Sequence, residues 1–312
     1  MPGIHPDFAA FAADPRNTVR PPPPHLALAR VRAAADAAMI DPAPPPLARV
    51  EDATVASDGQ AVPLRLYHPA PGVRLPVIVV AHGGGFVWGS IATHDGLCRR
   101  LARASGAAVV SVGYRLAPEA PFPAAMRDVL AAVGALPGLA AAWQIDPARL
   151  SLFGDSAGGH VVLTAALALR GAALRPQRLA LVYPVVDPSC AADSHARCAE
   201  GPILSHAAMR WFWAACLGPQ AAAPPPEADP LHADPTGLPP TLIVTAEHDV
   251  LSDEGLALAR WLARHGVPVT ADARPGTVHG YLSIAPDGGP GRETLRAVAA
   301  FLAPPDGAGA AR

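Results

Sequence analysis

Residues 149–160 read RLSLFGDSAGGH: a short apolar run, then Gly154-Asp155-Ser156-Ala157-Gly158, then a helical pattern with no loop between. That is G-x-S-x-G between a strand and a helix, the setting of a nucleophile elbow. The reason is steric. A turn this tight strains Ser156 and presents its hydroxyl above the sheet, and the small residues on either side let strand and helix approach. The helix N-terminus then directs N–H groups and the positive end of its dipole at that oxygen. Outside this context the five residues would read equally as a Gly-rich turn with a capping Ser.

The same alternation repeats outward from this element. LPVIVVAHGGG (75–85), AAVVSVGY (107–114), RLALVYPVV (178–186), TLIVTA (241–246) and VPVTADARP (267–275) read as further strands, and PLRLYHP (63–69) as a half-buried one. DGLCRRLARASG (95–106), stopped at Gly106, AAMRDVLAAVGAL (124–136), AGGHVVLTAALALRG (157–171), DEGLALARWLARHG (253–266) and RETLRAVAAFLAP (292–304) read as helices. Such alternation implies right-handed βαβ units, so the predicted fold is α/β, a mostly parallel central sheet flanked by helices. Two segments break the rhythm. Residues 1–45 hold no strand signal but carry HLALARVRAAADAAM (25–39) behind Pro21–Pro24. Residues 187–236 carry AAMRWFWAACLG (207–218) and read as an insertion able to fold over the carboxyl ends of the strands, where open α/β sheets bind ligands. The core is therefore expected in two parts, 46–186 and 237–312.

Composition narrows the chemistry. Apolar residues make up 51% of the 312 and charged residues 16%, enough for a large buried core. With 24 basic and 26 acidic residues the net charge is −2, which disfavours a nucleic-acid partner. All the basic residues are Arg; the absence of Lys excludes Schiff-base chemistry on a side chain, a Ser-Lys dyad and a P-loop. Cys98, Cys190, Cys198 and Cys216 form no C-x-x-C pair and are too sparse for a disulfide scaffold. The opening residues lack the pattern of a secretory signal. The apolar run 129–143 is broken by Gly134, Pro137 and Gly138, so no membrane span is predicted and the expected location is cytoplasmic.

A serine nucleophile needs a base, a carboxylate to orient it and donors for the oxyanion. Gly83, Gly84 and Gly85 end a buried strand, and N–H groups there can converge on a developing oxyanion; alone they could equally form a plain turn or an anion nest. His82 reads as structural, holding that loop, and Asp155 as a support of the elbow. Among the histidines after Ser156, His279 stands out. It follows the last strand in RPGTVHGY, between Gly276 and Gly280, where a loop can deliver an imidazole over the sheet. His160 reads as a packed or surface residue, His265 as a helix C-terminal one. Asp249 lies just beyond a strand end, with Glu247 as its rival, while Asp253 and Glu254 read as charges capping a helix N-terminus.

Together these residues resemble the bacterial hormone-sensitive lipase family of α/β-hydrolases, and within it the acetyl-esterase-like members. The matching pieces are HGGGF (82–86), YRLAPE (114–119), GDSAGG (154–159), AEHDVLSDEG (246–255) and HGY (279–281), in the family's order. The resemblance implies the α/β-hydrolase fold, with Ser156 as nucleophile, Asp249 as acid and His279 as base, and backbone donors at Gly83, Gly84 and Ala157. It also implies a helical cap built from residues 1–45 and the insertion 187–236. Gly113 stands where members often carry Asp, and Tyr281 where a Phe often follows the Gly.

The activity so implied is hydrolysis of short- to medium-chain acyl esters through an acyl-enzyme. No metal or organic cofactor is expected, since there is no H-E-x-x-H or Cys/His cluster. The expected partner is a small-molecule ester, and a homodimer is compatible with the sequence. An amidase, deacetylase or polyester hydrolase with the same triad, or a non-catalytic ligand-binding module on this fold, are the competing readings. Trp211, Phe212 and Trp213 could line an acyl or alcohol pocket, as could Phe86 and Trp88. Packing of the insertion explains 211–213 equally well, and three neighbours on one helix cannot all face one pocket.

Overall fold

The computed structural model describes residues 3–303; Met1, Pro2 and residues 304–312, which end the second core part read from the sequence, lie outside the described residues. The chain begins with helices α1 (Pro6–Ala13) and α2 (Leu28–Met39), then a hairpin of β1 (Arg49–Ser57) and β2 (Gln60–His68). There follow β3 (Leu75–Ala81), α3 (Asp95–Ser105), β4 (Ala108–Val112), α4 (Ala124–Trp143), β5 (Ile145–Asp155), α5 (Ala157–Ala168) and β6 (Arg178–Val182). The insertion supplies α6 (Asp193–Arg197) and α7 (His206–Leu217), after which come β7 (Thr241–His248), α8 (Ser252–Arg264), β8 (Val269–Val278), α9 (Tyr281–Ile284) and α10 (Gly289–Leu302).

The eight strands form one sheet in the order β1-β2-β4-β3-β5-β6-β7-β8. β1 and β2 are antiparallel to their neighbours, and the pairings from β4 through β8 are parallel. A parallel sheet needs both faces covered, and β3 shows how the sequence achieves it. Val77, Val79 and Ala81 point into a core with Val129, Val133 and Leu136 of α4 and Val161 and Val162 of α5. Ile78 and Val80 point the other way, against Leu97 and Leu101 of α3 and Leu295 and Val298 of α10. Each such side chain contributes roughly 1.5–3 kcal/mol relative to exposure.

Two elements depart from the sequence reading. β1 was not expected; Asp58 (φ +48°) and Gly59 (φ +75°) form the two-residue turn that joins it to β2. Helix α4 runs 20 residues instead of stopping before Pro137, and is long and apolar enough to cross a membrane by length and composition, contrary to expectation. Pro137 removes an N–H, but packing carries the helix past it to Trp143, whose Nε1 donates to Glu51 at 3.1 Å. The same helix carries Asp128, fully buried and accepting from the Arg115 guanidinium at 2.7 Å, and packs on β1, β2 and β5.

The N-terminal segment and the insertion are tied together. Val19 bridges Leu204, Thr18 Oγ1 donates to the Pro202 carbonyl at 3.0 Å, and Ser205 Oγ donates to the Val19 carbonyl at 2.8 Å.

Candidate active site

The elbow's glycines are required by close approach. A Cβ on Gly154 would overlap the Gly158 carbonyl, and one on Gly158 would overlap the Ala81 carbonyl. With β5 and α5 drawn this close, Ser156 takes φ +53° and ψ −124°, a region unfavourable for a side-chain-bearing residue by about 1–3 kcal/mol. Its N–H donates to the Val182 carbonyl on β6 at 2.9 Å, which fixes the turn. The hydroxyl emerges at the carboxyl end of β5.

Asp249 follows β7 and His279 follows β8, so all three residues leave the same edge of the sheet. Ser156 Oγ lies 3.0 Å from His279 Nε2, and His279 Nδ1 lies 2.7 Å from Asp249 Oδ2. Asp249 is buried, and its other oxygen accepts the Leu251 N–H at 3.0 Å. Nδ1 is thereby the donating nitrogen and Nε2 is left to accept from the serine. The rival Glu247 accepts the Gly276 N–H at 2.7 Å and so braces the end of β8 just before His279.

The glycine loop requires a correction. Gly83, expected as an oxyanion donor, gives its N–H to Asp155 Oδ1 at 3.0 Å, with His94 Nε2 at 3.2 Å. Burial disfavours the Asp155 charge, yet the His94 ring at 3.1 Å, His82 and this N–H hold its carboxyl below the usual range. A buried carboxylate thus takes the first N–H of the loop. Gly84 and Gly85 instead border the cavity that holds Ser156, with φ of +121° and +60°. Among the described residues no acceptor takes their N–H groups, nor that of Ala157 at the first position of α5. His82 holds the loop from behind. Its Nδ1 is 2.8 Å from the Gly83 carbonyl, its ring stacks on Tyr114, and burial beside His94 lowers its pKa to about 3.

The cavity measures about 490 Å³ and is bordered by Ser156, His279, Tyr183, Trp88, Met209 and Phe212, with Ala34, Ala35, Ala38 and Met39 of α2 as one wall. Of the five aromatics read as candidates for it, Trp88 and Phe212 line it, and Phe86, Trp211 and Trp213 do not. Phe86 takes φ +67° and turns into the core against His160 and Trp213, Trp213 is buried there, and Trp211 stacks on Trp88 from outside. The helical twist brings the middle residue, Phe212, to the cavity. Its ring covers Gly85 so closely that a Cβ there would fall inside it. His160 is packed, with its Nε2 3.0 Å from the Ala228 carbonyl, and burial lowers its pKa to about 4. His265 bonds the Trp261 carbonyl at the end of α8.

Glu254 is a further correction. It is fully enclosed rather than a solvated cap charge, and accepts the Asp187 N–H at 2.7 Å. Burial pushes its carboxyl well above the usual range, with Asp187 and Asp249 adding to the effect. His195, 4.0 Å away, is driven down to about 4 by burial and His206, so it offers Glu254 no positive charge near neutral pH. A carboxyl raised in the folded state contributes stability below its unfolded pKa and loses it as pH rises through its folded pKa. Glu254→Gln keeps the acceptor and removes the titration. The expected result is a Tm equal to the parent near pH 4 and several degrees higher at pH 8.5, measured by calorimetry; a difference independent of pH would contradict it.

Residues 78–283 match the family model described as the alpha/beta hydrolase fold. The chain belongs to that family. This α/β-hydrolase is 39% identical over 248 residues to a carboxylesterase, NlhH, of Mycobacterium tuberculosis, covering 77% of each chain. It is 37% identical over 233 residues to an ethyl acetate hydrolase of Pseudomonas putida, covering 73% of each. Among solved structures, a hyperthermophilic esterase of the archaeon Pyrobaculum calidifontis superposes with a TM-score of 0.88 at 35% identity, covering 96% of this chain and 98% of that one. The resemblance to hormone-sensitive-lipase-like esterases therefore extends over most of the chain.

Proposed function

We propose that this α/β-hydrolase is a serine carboxylesterase for short- to medium-chain esters, with Ser156, His279 and Asp249 as its triad and Gly84, Gly85 and Ala157 as oxyanion donors. The observation that carries this reading is the unbroken line of hydrogen bonds from Asp249 to His279 at 2.7 Å and from His279 to Ser156 at 3.0 Å. Ser156 Oγ attacks the ester carbonyl while His279 Nε2 takes its proton. The carbonyl oxygen becomes an oxyanion held by the free N–H groups, one such donor contributing about 3 kcal/mol. The imidazolium, stabilised by Asp249, protonates the departing alcohol. Water then attacks the acyl-enzyme, His279 taking its proton and returning it to Ser156 as the acid leaves. Residues 1–45 and 187–236 act as the cap that closes the site from water.

A cavity of about 490 Å³ lies in the lower part of the ~300–1,000 Å³ span of small-molecule sites. Nitrophenyl esters from acetyl to palmitoyl, with the matching anilides, test the reading. Turnover is expected to peak among the short and medium chains, fall steeply by palmitoyl, and exceed that of the anilides by orders of magnitude. No turnover at any length would favour a binding module, faster anilide cleavage an amidase, and activation at an oil–water interface a lipase.

A further inference from the structure

The oxyanion loop is held from the cap side by two charged residues that no part of the proposed reaction uses. Arg32 and Asp36 lie four apart on α2 and so share a face. Arg32 Nε donates to the Val87 carbonyl at 2.6 Å. One terminal nitrogen donates to the Ala117 carbonyl at 2.6 Å, and both terminal nitrogens meet the Glu119 carboxylate, at 2.8 and 2.6 Å. Asp36 Oδ1 accepts the Gly89 N–H at 2.9 Å.

The contacts to Val87 and Gly89 fall on the far limb of the loop that presents Gly84 and Gly85, while those to Ala117 and Glu119 anchor Arg32 to the neighbouring segment. The Gly84 carbonyl accepts from Val87 N at 3.1 Å and Trp88 N at 3.0 Å, closing a turn. The Phe86 carbonyl accepts from Ala117 N at 2.9 Å. Val87 and Gly89 are therefore the groups through which the turn can pivot, and α2 holds both. A planar guanidinium can grip two carbonyls and a carboxylate at once; an ammonium cannot do so in the same geometry.

We propose that Arg32 and Asp36 are positioning residues of the oxyanion loop, fixing through Val87 and Gly89 the direction of the Gly84 and Gly85 N–H groups. This rests on the esterase reading. Wild-type turnover of nitrophenyl butyrate tests that reading first, so its failure is seen before any variant is made.

Two readouts separate positioning from mere support of the fold. One is the division of the effect between kcat and KM. The other is inhibition by a trifluoromethyl ketone analogue of the ester. The ketone forms a bond from Ser156 Oγ to its carbonyl carbon, the serine proton passes to His279, and the negative oxygen occupies the oxyanion position. Arg32→Met keeps an apolar stem. It is expected to lower kcat roughly 10- to 100-fold with KM within about twofold, and to weaken the ketone by the same factor as kcat. Asp36→Ala is expected to lose about tenfold in both, and Asp36→Asn, which retains the accepting oxygen, to restore most of it. Should Arg32→Met not fold, the Asp36 pair decides. Variants that lower Tm or raise KM while kcat and ketone affinity stay within about twofold of wild type would overturn the proposal.

Discussion

Ser156→Ala is expected to lower kcat for nitrophenyl butyrate by about 10⁴-fold or more while leaving the fold intact. The hydroxyl makes one side-chain hydrogen bond, to His279, and the backbone turn is set by Gly154, Gly158 and the bond to Val182. Removing the oxygen therefore removes the nucleophile and little else. His279→Ala is expected to lose a similar factor, since without a base the serine stays protonated. Asp249→Asn is expected to lose about 10³- to 10⁴-fold, because an amide NH₂ facing Nδ1 disfavours the tautomer in which Nε2 accepts. The three act as one unit, so the Ser156→Ala/His279→Ala double variant should be scarcely slower than either single one. Stability separates the strained turn from the chemistry. Ser156→Gly is equally inactive but relieves φ +53°, and its Tm should exceed that of Ser156→Ala. Stopped-flow and calorimetry on the same preparations give both readouts. A Ser156→Ala protein retaining a few per cent of the rate would place the nucleophile elsewhere.

Much of this was legible because the deciding signals are local. G-x-S-x-G between a strand and a helix is a statement about packing distance, and the overlaps at Gly154 and Gly158 are its physical content. The buried strand β3 was readable because a run with no polar member has no solvent face to offer. His279 and Asp249 were readable because each follows a strand whose carboxyl end must face the site. Three features were less accessible. Which glycine N–H groups stay free depends on Asp155, a residue 72 positions from Gly83 that claims the first of them. Which of Trp211, Phe212 and Trp213 faces the cavity depends on the rotation of α7 about its axis, set by packing against Phe86 and Trp88. The alanine wall of α2 carries no chemical signal, since alanines at this spacing describe any packed helix. Strand β1 is different. The Asp58-Gly59 pair is a hairpin signal present in the sequence, and its φ values are those the turn requires.

The oxyanion loop offers the other large effect, and the two glycines that border the cavity should fail for different reasons. At Gly85, φ +60° is open to alanine at about 1–2 kcal/mol, so the dominant obstacle is the Phe212 ring that a Cβ would enter. Gly85→Ala is expected to lower kcat about 10²-fold and Tm by several degrees as loop and ring move apart. Phe212→Ala opens a cavity of its own, yet it removes the collision. The double variant should therefore be less impaired than the sum of the singles, giving a favourable coupling in a double-mutant cycle. At Gly84 the obstacle is the Trp88 carbonyl, part of the same turn, and φ +121° lies outside what a side chain tolerates. No side-chain deletion can relieve backbone against backbone. Gly84→Ala is expected to lower kcat by about 10³-fold or more, with affinity for a trifluoromethyl ketone falling in parallel, and Phe212→Ala should leave that loss unchanged. Full activity in Gly84→Ala would mean that the loop carries no oxyanion donor at this position. Rescue of Gly84→Ala by Phe212→Ala would mean that the ring, and not the turn's own carbonyl, sets the space around the loop.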